Sequence, residues 1–196
     1  MYRHVMLFFI AALILAFTSF SCGKKTTFGV LDMPDAVFVQ RGDSISAATF
    51  DTLSKTLRQV MQASGPDSAV RFCNVQAYPI TAMYSNRGVQ VSRTSLKFRN
   101  PANEPDVLEY LLLNEYKAQQ QAGLELKPAI RRNKNGIVHY FKPILLQGMC
   151  VTCHGDPASD IPEPVKNALS TLYPNDQATG YRVGDLRGMW HIQFER

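Results

Sequence analysis

Two thiols three positions apart, with an imidazole next to the second, lie in the run Cys150-Val151-Thr152-Cys153-His154 of the 196-residue chain. Thiols at that spacing sit on one short turn and reach two edges of a porphyrin, where they add across its vinyl groups, and the adjoining imidazole is then turned toward the iron. The same spacing serves a redox dithiol, which needs no following His, or half a zinc site, which needs a second ligand pair at short spacing. The sequence supplies no second pair. The motif therefore predicts one covalent haem c, attached through Cys150 and Cys153, with His154 as an iron ligand.

The amino terminus points the same way, because covalent haem attachment is a reaction of exported proteins. Val5 to Phe17 is almost wholly apolar, preceded by Arg3 and followed by Thr18-Ser19-Phe20-Ser21-Cys22, the layout of a secretory signal. It is shorter than the ~20 apolar residues of a membrane span. Cys22 directly after Ser21 resembles the acceptor cysteine of a bacterial lipoprotein, although Ser19 departs from the usual aliphatic residue. Ordinary cleavage after Ser21 would leave Cys22 as an exposed thiol, a liability in an oxidising compartment that lipidation removes. The expected organisation is a signal peptide over 1–21, a lipidated N-terminus and tether over 22–43, and a haem domain over 44–196. The protein is then anchored by lipid on the periplasmic side of a bacterial membrane. Its expected partners are that membrane, the haem-ligation machinery and an unidentified redox or signalling partner.

With Cys22 assigned to lipid and Cys150 and Cys153 to haem, Cys73 has no disulfide partner. Ala69, Val70, Cys73, Ala77 and Ile80 recur at helical spacing, which places Cys73 on a buried helix face. A lone buried thiol is usually a small hydrophobe. It is also a possible second axial ligand, in competition with Met149, Met189, His139 and His191. Of these, Met149 is badly placed beside Cys150, the two histidines read as ordinary strand residues, and Met189 is the strongest rival. The residues alone leave that choice open.

Three more stretches bear on it: Arg93-Thr94-Ser95-Leu96-Lys97-Phe98-Arg99-Asn100-Pro101-Ala102-Asn103, Tyr140-Phe141-Lys142-Pro143 and Thr179-Gly180-Tyr181-Arg182-Val183-Gly184-Asp185-Leu186-Arg187-Gly188. Together with Cys73 and the haem motif they resemble, in order, the bacterial c-type haem domain with a PAS-like fold, long catalogued as a domain of unknown function. That domain occurs alone and as the extracytoplasmic input of histidine kinases and chemoreceptors. The resemblance covers nearly everything after about residue 45. It implies an iron held by His154 on one side and by Cys73 on the other.

The elements that must position these residues follow from periodicity and from Gly and Pro punctuation. Helices are expected from Ser44 to Ser64, from near Asp67 until Pro79 interrupts, from Asp106 to Gln121 through Leu108, Leu111 and Leu112, and from Glu163 to Leu172. Strands are expected over Gly88–Leu96 and Gly188–Phe194, with a hairpin pairing Leu124–Arg131 with Ile137–Leu145 around Asn135-Gly136. The class is α/β of the α+β kind, and the resemblance makes it a PAS-like antiparallel sheet wrapped by helices. Arg93, Lys97 and Arg99 could neutralise haem carboxylates, but their alternation fits a solvent-facing strand slightly better. The net charge of +5 is scattered, so nucleic acid is not an expected partner. No catalytic constellation is visible, and no enzyme activity is expected. A thiolate ligand favours ferric iron, so the expected function is a redox- or gas-responsive sensory haem module, the alternative being an electron-transfer cytochrome.

Overall fold

A computed structural model of the chain describes residues 33–86 and 88–195. Its elements are α1 (Asp35–Ser64), α2 (Pro66–Ala82), β1 (Val89–Thr94), α3 (Val107–Gln121), β2 (Ala129–Arg132), β3 (Val138–Leu145), α4 (Val151–His154), α5 (Glu163–Leu172) and β4 (Leu186–Phe194). The strands form one antiparallel sheet in the order β1-β4-β3-β2. The fold is α+β, as expected.

Helices cover both faces of the sheet, so most of β4 is buried on both sides. Trp190, Ile192 and Phe194 face α1 and pack with Phe38, Val91, Val138 and Tyr140. Met189 faces α3 and packs with Phe141, Leu112, Leu113 and Tyr116. A third cluster joins α2 to α5 through Val70, Ile161, Val165, Ala168, Leu169 and Tyr173. Between β3 and β4 the ladder slips by one residue: Ile144 faces Gly188 but Leu145 faces Leu186, so Arg187 is the extra residue of a bulge. Bulges re-aim side chains next to functional sites.

Three expectations are corrected. The first helix starts at Asp35 rather than near Ser44, and Phe38 is fully buried. Residues 35–43, assigned above to the tether, are thus folded. Close packing explains it: a Cβ on Gly42 would lie 2.4 Å from the Tyr140 ring, whose hydroxyl donates to Asp43 at 2.8 Å. Second, α2 runs through Pro79 to Ala82, because burial of Ile80 and Thr81 holds a last turn that loses one backbone hydrogen bond. Third, the buried face of α3 is Glu109, Leu112, Leu113 and Tyr116, while Leu111 is exposed. Its N-terminus is set by a capping box between Asp106 and Glu109. The signal segment 1–21 and Cys22 lie outside the described residues.

Candidate functional site

The haem-type motif is held in a short, tightly tied segment. After β3, Leu146 and the 184–185 loop exchange backbone hydrogen bonds, Leu146 N–H to the Asp185 carbonyl and Gly184 N–H to the Leu146 carbonyl, both at 2.9 Å. A 3-10 turn over Gly148–Cys150 carries Cys150 and leads into α4, which presents Cys153 and His154. Gly155 closes the motif where no side chain fits: a Cβ there would lie 2.6 Å from the Val151 carbonyl oxygen and from Asp160 Cβ. The His154 carbonyl accepts from Tyr181 N–H at 2.9 Å, which straps residues 178–181 across the motif.

That strap orients the imidazole. His154 Nδ1 donates to the Ala178 carbonyl at 2.7 Å, leaving Nε2 with its lone pair and no partner among the described residues. Burial, reinforced by Arg187, Arg99 and Arg93, holds His154 well below the usual histidine range against the opposing Ala178 hydrogen bond. At neutral pH it is an uncharged imidazole whose Nε2 is free among the described residues.

Cys73 from α2 lines the same cavity as Cys150, Cys153 and His154, a space of about 280 Å³ between α1, α2, β1 and the 144–154 segment. The rest of the wall is largely apolar, including Leu57, Met61, Val70, Phe72, Phe98 and Trp190. Burial pushes the Cys73 thiol up, with Arg93 and Arg99 pulling the other way. Burial likewise pushes Cys153 up to about 11, with Arg99 opposing and Cys73 and Cys150 adding to the rise. Among the described residues no three His, Cys, Asp or Glu side chains gather closely enough to hold one metal ion. The donors are spread around a space instead of meeting at a point.

The charged lining is three arginines and no carboxylate. Arg99 is satisfied: Nε donates to Asp176 Oδ2 at 3.0 Å, and Nη2 donates to the carbonyls of Cys153 and Ala178. Arg93 lies over the Trp190 ring at 5.6 Å and has no hydrogen bond or ion pair among the described residues. Arg187, turned by the bulge, donates from Nη1 to Ser95 Oγ at 2.7 Å, but its buried Nε has no partner among the described residues.

A protein-family model described as Tll0287-like matches residues 36–194. The chain belongs to the Tll0287-like family. Among solved structures it is similar to one titled "Crystal structure of the cyanobacterial heme-protein Tll0287", with 27% identity and a TM-score of 0.60, over 84% of this chain and 97% of that one. No curated protein matches. The family match starts one residue inside α1, in accord with the early start of that helix.

This member of the Tll0287-like family brings together four of the site residues read from sequence, Cys73, Cys150, Cys153 and His154, at one cavity. Cys22, the fifth, lies outside the described residues. Met189 does not line the cavity; it is fully buried on the opposite face of the sheet, where His139 and His191 are also buried. Met149 does line it, with its sulfur 4.0 Å from Arg58 Nη2. The preference for a solvent-facing Arg93 and Arg99 is overturned. Arg93 lies within β1 and reaches the cavity on the same side of the strand as Val91; after β1 stops at Thr94 the chain turns Arg99 inward as well, whereas Lys97 stays exposed over the Tyr181 ring. Arg187 and Asp176 were missed: the first needs a bulge that no local signal reveals, and the second acts through residues distant in sequence.

Proposed function

We propose that the cavity holds one haem, attached covalently through Cys150 and Cys153, with His154 and Cys73 as axial ligands. The observation that carries this reading is the convergence of those four residues on one cavity whose only charged lining is arginine. The fit is chemical. An amphipathic ring with an apolar body and two carboxylates matches an apolar wall carrying one arginine without a charge partner, Arg93, and another with an orphaned Nε, Arg187. Likeness to a cyanobacterial heme-protein supports it, as does the membership in that family.

Bound there, a haem supplies a one-electron couple and, on a face that loses its protein ligand, a place for a diatomic gas. The protein's part is to set that couple. His154 is oriented by the Ala178 carbonyl and kept neutral. Cys73 supplies a sulfur ligand that favours ferric iron, in a wall where Arg93 and Arg99 offset the buried negative charge. Arg93 and Arg187 pair with the carboxylates, and the apolar wall excludes water.

The role that follows is a redox- or gas-responsive sensory module, exported and tethered through lipid on Cys22 to the periplasmic side of a bacterial membrane. The second reading, an electron-transfer cytochrome, needs both ligands retained on reduction. Optical spectra of ferric and ferrous protein with and without carbon monoxide separate them. Loss of the sulfur ligand with gas uptake supports sensing, whereas fast reversible reduction with both ligands kept supports electron transfer. Recovery of colourless protein with free Cys150 and Cys153 thiols, after expression with a working haem-ligation system, refutes the haem reading altogether.

A further inference from the structure

On the sheet face away from the cavity, four side chains unused by the proposed haem chemistry form one hydrogen-bonded line. Glu109 Oε1 lies 2.7 Å from His191 Nδ1, and its Oε2 accepts the Asp106 backbone N–H at 2.9 Å. His191 Nε2 lies 2.9 Å from His139 Nδ1, and His139 Nε2 lies 3.3 Å from Asn133 Nδ2. Glu109, His139 and His191 are all buried, and Phe141 stacks on His191.

Both ends of the line have a fixed polarity. Ionised Glu109 can only accept. Asn133 Oδ1 is taken by the backbone N–H groups of Asn135 and Ile137, each at 3.0 Å, so its Nδ2 must be the atom that meets His139, and Nδ2 can only donate. The hydrogens between are then determined. Asn133 donates to His139 Nε2, His139 Nδ1–H donates to His191 Nε2, and His191 Nδ1–H donates to Glu109. Every position is satisfied with both imidazoles neutral.

The line has no place for another proton. On His139 Nε2 it confronts the Asn133 amide hydrogens. On His191 Nε2 it confronts His139 Nδ1–H, which is relieved only by moving that hydrogen to Nε2, again against Asn133. On Glu109 Oε1 it reverses the whole line with the same result, and on Oε2 it displaces the Asp106 N–H.

We propose that this line is a proton-operated latch on the β2–β3 turn: one proton from solvent turns His139 Nε2 from acceptor into donor and releases the Asn133 side chain that ties the turn. The consequence reaches the start of α1. β2 is the edge strand, and its Arg132 grips Asp35 Oδ1 at 2.6 Å with its guanidinium over the Phe38 ring at 5.2 Å. An opened turn loosens that clasp.

The surrounding charges set the direction. Glu109 and Asp106 on α3 favour protonation of His139, whereas burial and His191 oppose it and prevail, holding His139 below the usual histidine range. Arg131 stands opposite His139 on β2 but is paired with Glu115 at 3.2 Å. β4 offers Gln193 and β1 offers Ser92, both uncharged. The latch is therefore closed at neutral pH and opens in acid.

Hydrogen exchange of the full-length protein tests this, read at the Asn135 and Ile137 amides and corrected for intrinsic rates, at about pH 7.5 and about pH 5. Protection at both amides is expected to fall at least about tenfold in acid, the loss of roughly one hydrogen bond. In His139→Gln, which cannot titrate, it is expected to stay level. Equal protection at both pH values in the unaltered protein, or the same fall in His139→Gln, overturns the latch. If that variant does not fold, nitrogen-15 spectra of the unaltered protein decide. Hydrogen on Nδ1 of both histidines at neutral pH is required, and hydrogen on His139 Nε2 overturns the proposal.

Discussion

Asp176→Ala removes a residue that does not line the cavity but nevertheless organises the 150–154 segment. Asp176 Oδ2 receives Arg99 Nε at 3.0 Å, and Oδ1 receives the Ala178 N–H at 2.8 Å. The two charged side chains are only 12% and 11% exposed, so the ion pair is a nearly dry one. Removing one partner of such a pair strands the other charge and costs about 3–5 kcal/mol, far more than the ~1 kcal/mol at most of an exposed pair. With a urea dependence of about 2 kcal/mol per molar for a domain of this size, the unfolding midpoint should fall by about 1.5–2.5 M. The assay is urea unfolding of the haem-loaded protein followed by far-ultraviolet circular dichroism. Because Ala178 supplies the carbonyl that orients His154, the Soret spectrum should broaden before unfolding begins. A double-mutant cycle with Arg99→Leu isolates the pair, and the double variant should be more stable than the sum of the single losses predicts. A midpoint shift below about 0.5 M, or strict additivity in the cycle, would refute the reasoning.

Four further expectations can be checked. Low-temperature electron paramagnetic resonance of the ferric protein should show a low-spin, sulfur-ligated signal that Cys73→Ser abolishes, and an unchanged spectrum would remove Cys73 as a ligand. Gly155→Ala places a methyl group against the Val151 carbonyl and should reduce covalent haem loading severalfold by mass spectrometry, an effect that normal loading would contradict. Stability should fall on acidification. Burial, with His191, depresses His139; Glu109 is lowered overall because hydrogen bonds from His191 and the Asp106 N–H outweigh its burial. In both cases the unfolded chain binds more protons, so stability is complete above about pH 6.5, then declines through the His139 window and again below about pH 4.3, and a flat urea midpoint between pH ~7 and ~5 would contradict the His139 assignment. Finally, the mature protein should partition into detergent with a diacylglycerol mass on Cys22, whereas a soluble product with an unmodified N-terminus would indicate simple secretion.

How far the sequence could be read differs by residue. Cys150, Cys153 and His154 declare their chemistry by spacing alone, and α5 is bounded as periodicity and Pro162 require. Cys73 is legible only as a face of a helix, since what it faces is set by packing between α2 and the 150–154 segment. Arg187 could not be read at all, because simple alternation puts it with Met189 and only the slip in the β3–β4 ladder turns it to the cavity. The start of α1 was hidden because Gly42, Gln40 and Arg41 interrupt the apolar pattern, while what fixes it is the Tyr140 ring of β3 packed against it. The hydrogen-bonded line behind β4 escaped because two histidines on separate strands and a glutamate on a helix share no local signature.

The alternation along β4 also bears on how assembly can fail. Trp190 looks into the cavity and His191 away from it, so a frame error of one residue in zipping β4 against β3 would exchange them and offer a foreign imidazole to the proposed haem. Under the proposed Cys73 ligation, misassembled molecules would then carry their own spectroscopic fingerprint, a nitrogen donor competing with sulfur. Colour could thus report the fidelity of maturation, molecule by molecule, before any partner is engaged.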